Sequence, residues 1–207
     1  MKFFSLDSKF TQAMTSLGEM MLLNLCWILA SVPIVTIGAA NAAMYTVMGR
    51  RLRQEGSGTI VPFFKAWWSN LKQGCLFWVV QLLMSGSLGM ILFMALPLFL
   101  KIVAGVLLFL VTVVFSVMYP QIARFRIRWF PCLRNAVILF VTKFRWVMLN
   151  LLTILSPVIL FLLAPVEFMR LGFVWFLFGF SAVFYLSAMV IRKALQPLED
   201  LSAEAGK

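Results

Sequence analysis

The stretch GCLFWVVQLLMSGSLGMILFMAL, residues 74–96, runs directly into PLFLKIVAGVLLFLVTVVFSVMY, residues 97–119, and the two together hold one charge, Lys101. A helix needs about 20 apolar residues to cross a hydrocarbon core about 30 Å thick. Both runs meet that length, and Pro97 divides them. Backbone groups in lipid must be satisfied within the segment, so the runs are predicted to be transmembrane helices. Outward from this pair, Arg145–Ala164 and Leu171–Ile191 pass the same test, as does an upstream stretch, Leu17–Gly49, with one charge (Glu19) and an interruption at Pro33.

The composition agrees. Of 207 residues, 63% are hydrophobic and 12% charged, against about 45–50% and 25% in a soluble domain. The mean hydropathy is +0.99. A cytosolic globular enzyme is excluded, and 21 Phe with 7 Trp exclude a disordered chain. The predicted fold class is all-α: one integral membrane domain over residues 1–207, a polytopic bundle of about five spans. If residues 31–35 form a tight hairpin, Leu17–Ala30 and Thr36–Gly49 become separate crossings and the count is six. Each would then cover only about 21 Å. The opening MKFFSLDSKF lacks the basic-then-apolar order of a cleavable signal, and none is expected.

The net charge is +11, and its placement sets the expected orientation. Arg50, Arg51, Arg53, Lys65 and Lys72 follow the first span. Arg124, Arg126, Arg128, Arg134, Lys143 and Arg145 precede the fourth, and Arg192, Lys193 and Lys207 follow the last. Only Lys2, Lys9, Lys101 and Arg170 fall on the other side in the five-span reading. The basic loops and the C-terminus are therefore expected in the cytoplasm, against anionic lipid headgroups. No nucleic-acid-binding motif is present, and nucleic acid is not an expected partner.

Chemistry-bearing residues are few. There is no histidine, and the three cysteines, Cys26, Cys75 and Cys132, lie in or beside apolar stretches without metal-ligand spacing. Nucleotide, zinc and serine-hydrolase motifs are missing. No catalytic residue, metal or cofactor is expected. Glu19 and Lys101 sit close enough to span ends to reach the interface, and Glu167 and Arg170 are placed to pair. Candidate polar residues of the membrane core are Asn24, Asn41, Gln81 and Asn150, with Ser85, Ser87 and Ser156. Such amides read either as bonds between helices or as the lining of a site for a neutral solute. Small residues at Gly38 and Ala42, Ala39 and Ala43, and again at Gly86 and Gly89, predict close helix contact.

Residues 62–73 read as an amphipathic interfacial helix, with Phe63, Phe64, Trp67, Trp68 and Leu71 on one face and Lys65, Ser69, Asn70, Lys72 and Gln73 on the other. With Arg124, Arg126 and Arg128, these aromatic residues are candidates for interfacial anchoring or docking. Residues 43–53 resemble 117–126, each with Met-Tyr followed by an arginine cluster. Pro62 and Pro131 open similar segments, and Phe77–Leu83 resembles Trp146–Leu152. This is a weak parallel repeat, 22–96 and 97–164, with a final helix at 171–191. It places Gln81 and Asn150 at matching positions.

The residues Leu22–Trp27, then Ser31-Val32-Pro33-Ile34-Val35-Thr36-Ile37-Gly38-Ala39-Ala40, followed by Met44-Tyr45 and a basic loop, resemble the YesL-like family of small bacterial membrane proteins. Phe3–Ser8 and Phe63-Phe64-Lys65 also fit, whereas Val32 stands where the family often has Leu. That family carries a domain of unknown function and tends to be encoded beside carbohydrate ABC importers, sensor kinases and glycan-degrading enzymes. The resemblance implies a multi-pass protein of the bacterial plasma membrane, an accessory or regulatory subunit beside an ABC importer permease or a sensor kinase. A stand-alone transporter or facilitator for a small neutral solute such as a sugar is the alternative.

Overall fold

The computed structural model describes residues 9–55, 58–125 and 129–204. Among them there is no strand. Helices follow in the order α1 (Lys9–Ser31), α2 (Ile37–Leu52), α3 (Ile60–Phe93), α4 (Leu98–Phe125), α5 (Trp129–Thr142) and α6 (Phe144–Leu163). Then come α7 (Pro165–Arg170), α8 (Gly172–Val174), a π-turn (Trp175–Gly179) and α9 (Phe180–Glu204). Among the described residues, five helical segments are long and apolar enough to cross a membrane: Ala13–Ser31, Ile60–Phe93, Leu98–Phe125, Phe144–Leu163 and Gly172–Gln196.

The Leu17–Gly49 region is not one interrupted span. Its chain reverses between Ser31 and Ile37 and returns as α2. Pro33 is extended (φ −76°, ψ 111°), as its ring and missing N–H favour at a helix end. A single 3₁₀ turn, Ile34–Thr36, restarts the helix, and the Thr36 hydroxyl lies 2.7 Å from the carbonyl oxygens of Ala30 and Pro33. The two helices are antiparallel, because contacts near the turn are mirrored far from it. Trp27 Nε1 donates to Asn41 Oδ1 at 3.0 Å, and Arg51 pairs with Glu19 at 3.2 Å and hydrogen-bonds Ser16. The beginning of α1 and the basic loop therefore share one end of the bundle, as the hairpin alternative requires. At 16 residues, α2 covers about 24 Å, short of the hydrocarbon thickness.

The helix expected at 62–73 is not a separate interfacial element. It is the opening of α3, whose 34 residues make a rod about 51 Å long. The cause is the approach of α2. A Cβ built on Gly38 would lie 2.0 Å from the Gly74 carbonyl oxygen, and one on Gly74 would lie 2.7 Å from Ala39 Cα. Only backbone against backbone fits there. Continuing the helix through Gly74 lets Phe63 and Ala66 pack in the same core as Met44 and Val47.

Burial is concentrated beside the basic segments. The buried residues of α3 stop at Phe77, those of α6 at Leu151, and those of α4 lie at Val113–Ile122 apart from Ala104. Phe77 anchors this region, its ring 4.2 Å from that of Trp129 on α5. The opposite halves of α3, α4 and α6 present Leu82, Leu83, Met90, Phe99, Val106, Leu162 and Leu163 outward, an apolar surface suited to lipid.

Candidate functional site

The four amides predicted for the membrane core are all engaged within the chain. Asn24 Oδ1 accepts from the Ser181 backbone N–H at 2.9 Å, and its Nδ2 donates to the Phe176 carbonyl. Phe176 and Ser181 flank the end of the Trp175–Gly179 π-turn, whose backbone ladder is disturbed by the extra residue. Asn24 supplies the partner that the ladder lacks there, and Gly179 is required because a Cβ would meet the Trp175 ring at 2.5 Å. Asn41 accepts from Trp27 and fastens the α1–α2 hairpin.

Asn150 and Gln81 lie in two tyrosine-centred arrangements. The Ser187 hydroxyl donates to Asn150 Oδ1 at 2.5 Å, and the Tyr45 hydroxyl lies 2.6 Å from Ser187 Oγ. Ser187 has one hydroxyl proton, committed to Asn150, so Tyr45 is the donor in that pair. Asn150 Nδ2 donates in turn to the Ser116 carbonyl at 3.2 Å. Four helices, α2, α9, α6 and α4, are thereby joined. Tyr119 donates to Gln81 Oε1 at 2.8 Å, joining α4 to α3.

Tyr45, Tyr119, Ser181 and Ser187 are not among the residues that the sequence marks as a site. The two tyrosines stand out there only as markers of the repeat. Ser181 and Ser187 sit six apart in an apolar run, a spacing without meaning until α9 is packed. Of the expected serines, Ser87 and Ser156 are exposed and return their hydroxyls to their own helices, to Met84 and Thr153. Gln121 is a further residue without a signal in the sequence pattern. It is fully buried in α4, and neither atom of its amide has a partner among the described residues.

The small residues divide. Gly38 and Ala42 are buried at the α2 contacts, whereas at Gly86 and Gly89 an added Cβ would meet nothing within 4 Å. The aromatic residues of 63–68 also do not share one free face. Phe63 is fully buried, Trp67 half-buried, and Phe64 and Trp68 are exposed. A rotation of about 100° per residue places Trp68 well away from Phe63 once α2 covers the Phe63–Ala66 side. Phe63 is thus unavailable for docking. Arg126 and Arg128 lie outside the described residues, and Arg124 borders a small cavity with Tyr45, Arg53 and Arg192.

Among the cavities at the basic end, two are lined by cations without an acid. One, of about 90 Å³, is the space beside Arg124. The other, of about 200 Å³, is lined by Thr46, Arg50, Pro62, Lys65, Ala66, Ser69, Asn70 and Ala123. Close by, Arg53 hydrogen-bonds Glu55 and holds its carboxyl below the usual carboxylate range. Glu167 and Arg170 pair at 2.7 Å, as their spacing suggests. Trp146 lies beneath both the Arg145 guanidinium and the Lys193 ammonium, at 4.9 and 4.8 Å. Among the described residues no group of three or more Cys, Asp or Glu is placed to hold a metal ion.

The architecture is that of a multi-pass helical membrane protein. Residues 20–94, from within α1 to just past α3, match a family described as a protein of unknown function, DUF624. No curated protein and no solved structure matches the chain.

Proposed function

We propose that this chain is a non-catalytic accessory or regulatory subunit of the bacterial plasma membrane, with its basic end and C-terminus in the cytoplasm. The observation that carries this reading is the use of the polar residues. Asn24, Asn41, Gln81 and Asn150 are each hydrogen-bonded to another element of the same chain, so they serve as fasteners and do not line a solute path. The orientation rests on the clustering of Lys and Arg at one end. The partner class, a carbohydrate ABC importer permease or a sensor kinase, rests on the YesL-like resemblance.

The contact surface on this reading is the free half of α3. Gly86 and Gly89 are small, open and aligned for close approach by another helix. The cross-pairing of tyrosines and amides supports a duplicated scaffold. Tyr119 reaches Gln81 of the first half, and Tyr45 reaches Asn150 of the second through Ser187.

Flux through reconstituted liposomes tests the reading. The protein is expected to pass none of a panel of neutral mono- and oligosaccharides. Uptake that disappears in Gln81→Leu or Asn150→Leu, with the protein still folded, would assign these amides to a transport path and overturn the accessory role.

A further inference from the structure

The 200 Å³ cavity between α2 and the first third of α3 is lined mainly by cationic and polar side chains. Arg50 and Lys65 stand on opposite walls, and Thr46, Ser69 and Asn70 complete the polar lining. No acid lines it. Glu19 and Glu55 border the adjoining cavity with Arg50 and Arg51, and their carboxylates are taken by Arg51 and Arg53. Among the described residues neither Arg50 nor Lys65 is in an ion pair.

The neutral residues are already partly committed. The Thr46 hydroxyl donates to the Ala42 carbonyl, and Ser69 and Asn70 both donate to Ala66. The donors left for a ligand are the Arg50 guanidinium and the Lys65 ammonium, because Asn70 Nδ2 also donates to Ser69 Oγ at 3.4 Å. Two cations lining a concave space that no acid borders favour an anion there. A fork-shaped guanidinium beside a point-charge ammonium suits the several oxygens of a phosphate group.

Position along α3 identifies how such a group is presented. Lys65 and Asn70 precede Gly74, where the unbroken apolar run begins, by roughly 6–14 Å along the helix axis. That is the depth of the headgroup layer beneath a hydrocarbon core that starts at Gly74. Trp68, exposed on the same turn, is the residue type that settles at that depth.

We propose that this cleft is a specific site for a phosphate group, held by Arg50 and Lys65 and presented by an anionic phospholipid. The inference stands independently of the accessory reading above. It differs from general attraction of basic loops to a membrane in naming one cavity and two cations.

The test uses the full-length protein purified from membranes, with retained phosphatidylglycerol counted by native mass spectrometry. Three variants are compared with the parent: Arg50→Gln, Lys65→Gln, and Arg145→Gln as a control cation beside Trp146. A cation at the membrane surface changes lipid affinity about fivefold, so each cleft variant is expected to lower retention by about that factor. Arg145→Gln is expected to leave it unchanged. Lys65 is exposed and in no ion pair among the described residues, so its variant keeps the test valid should Arg50→Gln misfold. Addition of inorganic phosphate separates the sources. Retention that resists it supports the lipid, whereas release by millimolar phosphate assigns the same site to a free phosphate. Equal retention by parent and cleft variants, or an equal loss in Arg145→Gln, would overturn the proposal.

Discussion

Asn24 on α1 accepts the backbone N–H of Ser181 at 2.9 Å while its own amide N–H is given to Phe176. One side chain therefore occupies both ends of a five-residue backbone step and holds the last long helix in its π-turn. Replacing Asn24 with Leu would remove the partner of the buried Ser181 N–H and of the part-buried Phe176 carbonyl, at a cost of about 1–3 kcal/mol for a buried group where nothing compensates. Relaxation of the turn to α-geometry would recover part of that. The expected outcome is a loss of stability of about 1–3 kcal/mol, read from denaturant unfolding in detergent.

The backbone contact of Gly38 with Gly74 allows no side chain on either residue. Gly38→Leu and Gly74→Leu should separate α2 from α3 and cost more than the roughly 1–3 kcal/mol usual for overpacking. Gly86→Leu and Gly89→Leu, in open space, should leave stability unchanged within about 0.5 kcal/mol. Thermal unfolding of the four purified variants checks the contrast.

Tyr119 and Gln81 provide a test of how much a single interhelical bond contributes. Coupling energies of such pairs in membranes average about 0.6 kcal/mol and rarely exceed about 2 kcal/mol. A double-mutant cycle over Tyr119→Phe and Gln81→Leu is expected to return a coupling in that range. Tyr45→Phe should have a larger effect, because Ser187 and Asn150 depend on the same chain of bonds.

The α1–α2 hairpin places Gly18 and Glu55 at one end of the bundle and Ala95, after α3, at the other. All three positions are exposed. Cysteines introduced there should divide in sided labelling of intact cells by an impermeant maleimide. Gly18→Cys and Glu55→Cys are expected to behave alike, and Ala95→Cys oppositely. Opposite labelling of residues 18 and 55 would restore a single crossing over Leu17–Gly49.

The apolar runs of 74–96 and 97–119 reveal two helices because length and hydropathy alone decide a span. The hairpin at Pro33 is harder to read. Charge placement favours it, while the shortness of each arm opposes it, and the resolution comes from a tertiary fact, the small-residue face of α2 lying flat on α3. The continuity of α3 is hidden for the same reason. Gly74 reads as a boundary between a polar amphipathic segment and an apolar one, yet it is the point of closest helix contact. Asn24, Gln81 and Asn150 are visible as polar residues in apolar surroundings, but their partners, Ser181, Tyr119 and Ser187, are chosen by packing between distant segments. Local pattern carries no information about those pairings.

The accessory role is tested most directly by co-purification from native membranes in mild detergent, with cross-linking and mass spectrometry, comparing the parent chain with Gly86→Leu. The account predicts a stoichiometric membrane partner with the parent and its loss with Gly86→Leu, whose own unfolding midpoint is unchanged. Recovery of the parent chain alone, or only with copies of itself, would contradict it.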